Sequence, residues 1–368
     1  MKVLFINSVC GIRSTGRIVT SLAEQFNAKG HECLIAYGRE NVPAGYKKQT
    51  YKIGSEFNVR VNGLKARLFD NEGFNAKSET RRFIRMAEDY DPDILWLHNL
   101  HGYYINIEIL FDWIKKRPEM KVFWTLHDCW AFTGHCTHFS YVGCGQWKTG
   151  CQKCCQSSEY PKSLFYDNCI MNFQRKKAAF CGVRNMNLIT PSKWLAGLVK
   201  ESFLKDYPVQ VVRNTIDHSV FRPTPNNFRS EYNLNDRKII LGAASTWNER
   251  KGLNDYIKLS QMLEPNYVIV LVGLTKKKMS VMPENIICIG KTDSKAELAQ
   301  IYTAADVFVN MTYEDNYPTV NLEAAACGTP VITYDAGGSA ETVNAGSVVE
   351  CGNLQAMVSK IVKFTQNK

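Results

Sequence analysis

The sequence predicts an α/β protein of two domains, each a parallel β-sheet covered by helices. Three observations predict it. The chain has 368 residues, more than one ordinary domain and enough for two. Short apolar strand-like runs alternate with helix-period segments, the pattern of βαβ units. The loops after those runs are rich in glycine and in His, Asp, Arg and Lys, where open α/β sheets bind ligands. Hydrophobic residues make up 45% and charged residues 22%, which excludes wholesale disorder. No apolar run approaches the ~20 residues of a membrane-spanning helix. The opening segment turns polar at Asn7, too soon for a signal-peptide core, so a cytoplasmic protein is expected.

The elements follow in order. Residues 2–7 are a short apolar run and read as a buried strand. A loop at 8–16 leads to a helix expected over 17–29, with Ile18, Leu22 and Phe26 on one face and Gly30 as its C-terminal cap. Further strands are expected at 32–37, 94–97, 122–126, 187–190 and 210–213, with a basic helix between 164 and 180. A second run starts after Pro223 and Pro225, with strands expected at 239–243, 267–272, 286–289, 307–310 and 331–334. Ser294 followed by Glu297 is a capping box opening one of its helices, and a last helix is expected at 353–364. This divides the chain into domains 1–222 and 223–368.

Charge is unevenly shared between them. Residues 1–222 hold 31 Lys and Arg against 20 Asp and Glu, a balance of +11, and residues 223–368 hold 14 against 15. A basic surface suits nucleic acid, an anionic membrane or a phosphorylated ligand. Thirteen cysteines are many for a reducing compartment, and six lie between Cys129 and Cys155. Cys136, Cys144, Cys151 and Cys154 follow a C-x7-C-x6-C-x2-C spacing within an insertion over 129–155. Two readings stand: a structural zinc closed by four thiolates, or reduced thiols in a glycine-rich loop.

The strand ends carry the chemistry. Gly11 to Gly16 follows the first strand, His98, Asn99 and His101 another, and His127-Asp128 the next. In the second half, Arg250 and Lys251 follow one strand, Gly290 another, and Glu314-Asp315 a third. Cations at a helix start are favourable only with an anion beside them. From Glu314 to Gly328, two acids precede a turn, Pro318 stands at a helix N-terminus, and Glu323 falls in the first turns. Amides at such an N-terminus suit an anion, and Glu323 suits paired hydroxyls. If the two sheets face each other, these loops line one cleft.

With these residues the chain resembles the retaining GT-B glycosyltransferases of family 4, in their capsule and exopolysaccharide (colanic-acid-type) branch. The likeness spans nearly the whole chain. It rests on Gly11–Arg17, on His127-Asp128, on Ser192-Lys193-Trp194-Leu195, and on Asn214 to Pro223 against an N-G-I-D-x-x-x-F-x-P signature. It rests further on Glu323 to Ile332 against an E-x7-E segment that ends A-x-A-C-G-x-P-V-I, and on Gly337-Gly338 with Glu341. Two departures stand out. Asp315 occupies the first acid's position, with Glu314 one residue away, and Thr246 stands where the family has arginine, with Arg250 nearby.

The resemblance implies two facing Rossmann-like domains with an interdomain cleft. The first would be an acceptor domain, and the second a donor domain for a nucleotide-diphospho-sugar, UDP- or GDP-linked. Lys251 and Arg250 would neutralise the diphosphate, with amides of Gly16 and of Thr319, Val320 and Asn321. No catalytic divalent metal is then expected. Glu323 would take the ribose, Gly290 the base, Asp315 or Glu314 with Asn316, Pro318 and Thr319 the sugar, and His127 the sugar hydroxyls near the reacting carbon. The implied acceptor is an oligosaccharide or lipid-linked saccharide in surface-polysaccharide synthesis, met at an anionic membrane surface, the protein lying peripheral to it. The competing readings are an epimerase or phosphorylase of the same fold, and a zinc-containing nucleic-acid-binding protein. For the last, no interleaving of aromatics and cations with a binding fold is found, so no nucleic acid is expected.

Overall fold

The computed structural model describes residues 1–366. The chain forms two compact units that divide between Arg213 and Asn214. The first holds strands β1 (Lys2–Asn7), β2 (Glu32–Tyr37), β3 (Thr50–Lys52), β4 (Ile94–Leu97), β5 (Lys121–Thr125), β6 (Met186–Thr190) and β7 (Val209–Val211). Their order is β3-β2-β1-β4-β5-β6-β7, all parallel. The second unit holds β8 (Lys238–Ala243), β9 (Tyr267–Val272), β10 (Ile286–Ile289), β11 (Val307–Asn310), β12 (Val331–Tyr334) and β13 (Val348–Val349), in the order β10-β9-β8-β11-β12-β13, also parallel. Each unit is thus a Rossmann-like sheet, and the predicted α/β class is what the chain adopts.

Parallel strands are covered on both faces, so they read as continuous apolar runs rather than alternating ones. Val3 to Ile6 and Val268 to Leu271 are accordingly buried without interruption. Around the first sheet, Phe111, Trp124 and Phe180 pack with ring centroids 4.7–5.6 Å apart. In the second unit the Tyr313 and Tyr334 hydroxyls both donate to the buried carboxylate of Asp255, at 2.6 and 2.9 Å.

Several boundaries differ from expectation, each for a local reason. The first helix starts at Arg13, four residues early, because the Gly11 amide closes back on the Gly16 carbonyl at 3.1 Å. The helix expected from 164 begins at Cys169. Residues before it are held as a loop: the Leu164 amide donates to the Arg67 carbonyl at 2.8 Å, and Asp167 accepts from the Cys169 amide at 3.1 Å. Ser294 caps its helix by accepting from the Glu297 amide at 3.1 Å, but the Glu297 carboxylate reaches the Asp293 amide rather than that of Ser294.

What positions the sites is the strand order. In each sheet the connections run in opposite directions on either side of one pair, β1 with β4 and β8 with β11, which leaves a crevice at their carboxyl ends. His98 follows β4, and Asp315 lies beyond β11.

Candidate functional site

In the second unit the loops after β8 and β11 are stitched together. The Arg250 guanidinium donates to the Glu314 carbonyl at 2.6 Å, and the Arg250 carbonyl accepts from the Tyr313 amide at 2.8 Å. Asn248 accepts from the Lys251 amide at 3.0 Å, which turns that lysine toward the other loop. Its ammonium pairs with the Asp315 carboxylate at 2.5 Å. The two neighbouring acids therefore differ. Glu314 is fully buried, while Asp315 is about a quarter exposed at its side chain, 23%. The Asp315 carbonyl accepts from the Gly338 amide at 2.9 Å. Gly337 has φ +58, and a Cβ there would stand 2.2 Å from that carbonyl oxygen, so only glycine fits.

The helix Thr319–Ala326 starts directly after this loop. Buried Asn310 donates to the Asn321 side chain at 2.8 Å, and Asn321 donates to Thr342 at 2.7 Å, which fixes the helix against β11. The Asn321 amide, expected to face a phosphate, donates instead to the Pro318 carbonyl at 3.3 Å. Glu323 is half-buried and accepts from the Tyr302 hydroxyl at 3.2 Å. Asn316 and Pro318 are buried, and Thr319 and Val320 half-buried. Gly290 follows β10, its carbonyl accepting from the Gly273 amide at 3.1 Å. The second unit thus brings Arg250, Lys251, Glu314 and Asp315 into one knot, with Glu323 on the helix that follows. Gly16 lies in the first unit, where its carbonyl closes the loop from Gly11.

The first unit carries a second polar cluster, at the ends of β4 and β5. Asp128 accepts from the Trp130 amide at 3.0 Å and faces His101 Nε2 at 2.8 Å. Burial would raise this carboxyl, but the charge and hydrogen bond of His101 outweigh burial and hold it at about 2. Asp128 is therefore ionised and accepts only, so His101 Nε2 carries a proton and Nδ1 faces the Tyr160 hydroxyl at 3.0 Å.

The other pair is His98 Nδ1 and His127 Nε2, 3.0 Å apart with rings stacked at 16°. Burial lowers both, His127 to about 4. Both are neutral at pH 7, and one shared hydrogen bond leaves two possible proton arrangements. His98 Nε2 is buried without a partner. Were the proton of His98 there, a buried N–H would go unmet, at a cost of roughly 1–3 kcal/mol. A bare nitrogen beside the rings of Phe5 and Trp96 loses less. We therefore place the proton of His98 on Nδ1, donating to His127 Nε2, which puts the proton of His127 on Nδ1.

Three residues of this cluster lack a sequence signature. Glu72 is buried and accepts from the Gly102 and Tyr103 amides at 2.6 and 2.9 Å, holding the turn that carries His101. Tyr160 comes from the end of the cysteine-rich region. Lys176 is buried, donates to the Trp130 and Thr133 carbonyls at 2.8 and 3.1 Å, and is lowered by burial to about 7. It clamps the start of that region. The basic character of its helix was visible in the sequence, but the inward turn of this one lysine was not.

The four cysteines expected to hold zinc are free thiols. Cys136 hydrogen-bonds with Cys154, and Cys144 with Cys155, a fifth thiol that the expected set left out. Cys151 accepts from the Gly134 amide at 3.2 Å. Among the described residues, no three His, Cys, Asp or Glu side chains converge as metal ligands.

Residues 225–368 match the family described as Glycosyl transferases group 1. The putative colanic acid biosynthesis glycosyl transferase WcaC of Escherichia coli K12 is 26% identical over 301 residues, which cover 80% of this chain and 72% of that protein. The processive diacylglycerol alpha-glucosyltransferase of Acholeplasma laidlawii is 27% identical over 161 residues, 40% of this chain and 48% of that one. Among solved structures, HepE of Anabaena in complex with UDP-glucose aligns with TM-score 0.66 at 14% identity, covering 100% of this chain and 90% of that one. WaaG, a glycosyltransferase involved in lipopolysaccharide biosynthesis, aligns with TM-score 0.62 at 15% identity, covering 99% and 90%. The architecture is that of the GT-B glycosyltransferases.

Proposed function

From a GT-B chain whose second unit matches group 1 glycosyl transferases, we infer a glycosyltransferase that moves a sugar from a nucleotide-diphospho-sugar to a saccharide acceptor, with retention of anomeric configuration. A lipid-linked saccharide of surface-polysaccharide synthesis is the acceptor this reading favours. The WcaC relative is named for such a polymer, the Acholeplasma relative for a glycolipid, and HepE was solved with UDP-glucose.

The observation that carries the reading is the Lys251–Asp315 pair at the β8–β11 crevice. An incoming diphosphate competes with Asp315 for the ammonium. Once Lys251 turns to the diphosphate, the Asp315 carboxylate accepts from a sugar hydroxyl. Charge neutralisation and sugar recognition are thereby coupled in one exchange. Glu323 accepts from the ribose hydroxyls, and Gly290 borders the base. The acceptor oxygen bonds to the anomeric carbon on the face that the diphosphate leaves. The bond from that carbon to the diphosphate breaks with its electron pair, and the acceptor's proton passes to a diphosphate oxygen. His127 orients a sugar hydroxyl, and His101 with Tyr160 belongs to the acceptor side.

Thermal shift with UDP-, GDP- and other nucleotide-sugars identifies the donor. Lys251→Ala should then lower kcat/KM about a hundredfold or more, and Glu323→Gln should raise donor KM about tenfold. Unchanged kinetics in Lys251→Ala overturn the diphosphate assignment, and no shift with any nucleotide-sugar overturns the reading as a whole.

A further inference from the structure

Three strand ends of the first unit converge on one arginine. The Gly38 and Arg39 amides both donate to the Ser8 carbonyl, at 3.2 and 2.8 Å, which ties the end of β2 to the end of β1. The Arg39 guanidinium lies over the ring of Tyr103, 5.7 Å from its centroid, in the turn that follows β4. That turn leaves the arginine its space: a Cβ on Gly102 would stand 3.2 Å from Arg39 Cδ. Tyr103 holds φ +69, and Glu40, next to Arg39, holds φ +65. Such backbone is costly outside glycine and clusters at ligand clamps. Glu72 holds the first of these turns by accepting from the Gly102 and Tyr103 amides. Two neighbouring cations are neutralised, Arg13 by Glu40 at 2.6 Å and Lys52 by Glu56 at 2.7 Å. Arg39 is half-buried, and among the described residues its guanidinium has no hydrogen-bond or ion-pair partner. The ring contact leaves its N–H donors unmet.

We propose that Arg39 sets the specificity of an acceptor subsite for a sugar that bears a carboxylate, a uronic acid residue. A guanidinium presents a planar fork that a carboxylate fills with two parallel hydrogen bonds. One unneutralised cation matches a monoanion, whereas a phosphate monoester carries about −1.5 to −2 at pH 7. The groups beside Arg39 supply the rest of a sugar site. Tyr160 packs edge-to-face on Tyr103 at 6.2 Å and is 39% exposed, which offers its ring to the C–H face of a pyranose. Its hydroxyl donates to His101 Nδ1, because Asp128 fixes the proton of His101 on Nε2. The Tyr160 oxygen can therefore accept from a sugar hydroxyl. A uronate would meet Arg39 with its carboxylate and Tyr160 with its ring face or a hydroxyl. A neutral hexose would gain nothing from the guanidinium. That this sugar belongs to the acceptor rests on the function proposed above, while the preference for a carboxylate rests on the first unit's geometry alone.

The test is a ligand-observed NMR titration of the full chain. The probes are methyl glycosides of glucuronic, galacturonic and mannuronic acids, their neutral hexose counterparts, and the matching hexose 6-phosphates. At least one uronide should bind about tenfold more tightly than its neutral counterpart at low salt, and the preference should shrink at about 0.5 M sodium chloride. Arg39→Gln, which keeps a stem over Tyr103, should bring the ratio within about twofold and leave neutral-sugar binding unchanged. Arg39→Glu should place the uronide below the neutral sugar. Equal melting temperatures check the fold. No uronide binding, equal binding of uronide and neutral sugar, or a preference that survives in Arg39→Gln overturns the proposal. So do 6-phosphates that bind more tightly than the uronides, because the subsite then serves a phosphate. Thermal shifts with nucleotide-sugars run in parallel. A donor that binds a chain with no uronide preference removes the subsite and leaves the enzymatic reading standing. An Arg39-dependent preference in a chain that binds no nucleotide-sugar does the reverse.

Discussion

Two imidazoles 3.0 Å apart decide what His127 can offer a ligand. With His98 donating to its Nε2, His127 is neutral at pH 7, with its proton on Nδ1. Long-range proton–nitrogen NMR should find the proton of His127 on Nδ1. His98→Leu should move it to Nε2, and His98→Gln, whose amide can still donate, should leave it in place; an Nε2 proton in the wild type would refute the assignment. The same burial sets a pH dependence. An unfolded histidine binds a proton below about 6.5, whereas folded His127 waits until about 4. Between those values the unfolded state holds more protons, so stability rises with pH and acidification removes up to roughly 3 kcal/mol. Denaturant titrations at pH 7 and 4.5 should show this slope, flattened in His127→Asn. At this scale the sequence marked His127, Asp128, His98 and His101 because each follows a strand end. Glu72 and Tyr160 reach the same cluster from about 26 to 62 positions away, and no local pattern announces a partner supplied from so far along the chain.

At the scale of elements, the strands were the most legible feature. A strand buried on both faces is a continuous apolar run, and all five strands expected in the second unit appear within one residue of their place. The terminal β3 and β13 were missed because two or three residues leave no periodicity to read. The helices Glu56–Phe69 and Lys77–Tyr90 were missed too; the first hides its period behind apolar residues on its outer face. The cysteine region was legible as an insertion but not as a set of pairs, since which thiol meets which is settled by tertiary packing. One loop contact carries a sharp expectation. Ala at position 337 would have to hold φ near +58 with its Cβ against the Asp315 carbonyl. Gly337→Ala should cost roughly 1–3 kcal/mol and raise donor KM by displacing Asp315. A melting curve and donor kinetics matching the wild type would show that the loop yields freely.

For the whole molecule, the same strand order occurs twice, and each sheet closes its pairings within its own unit. Each unit also has its own buried core. Residues 1–213 and 214–368 expressed separately should therefore each unfold cooperatively in far-ultraviolet circular dichroism, and two structureless fragments would contradict that. The two-domain plan was visible in the sequence because strand–helix alternation restarts after Pro223. What was not visible is that the compact division falls nine residues earlier, ahead of Asn214 and Phe221, the latter buried with the second unit. A genetic crossover at this junction would sever no strand pairing in either sheet. Inheritance can then trade one half for another and keep both foldable, so novelty in what such a chain builds can arise by exchange of halves, without reinventing either one.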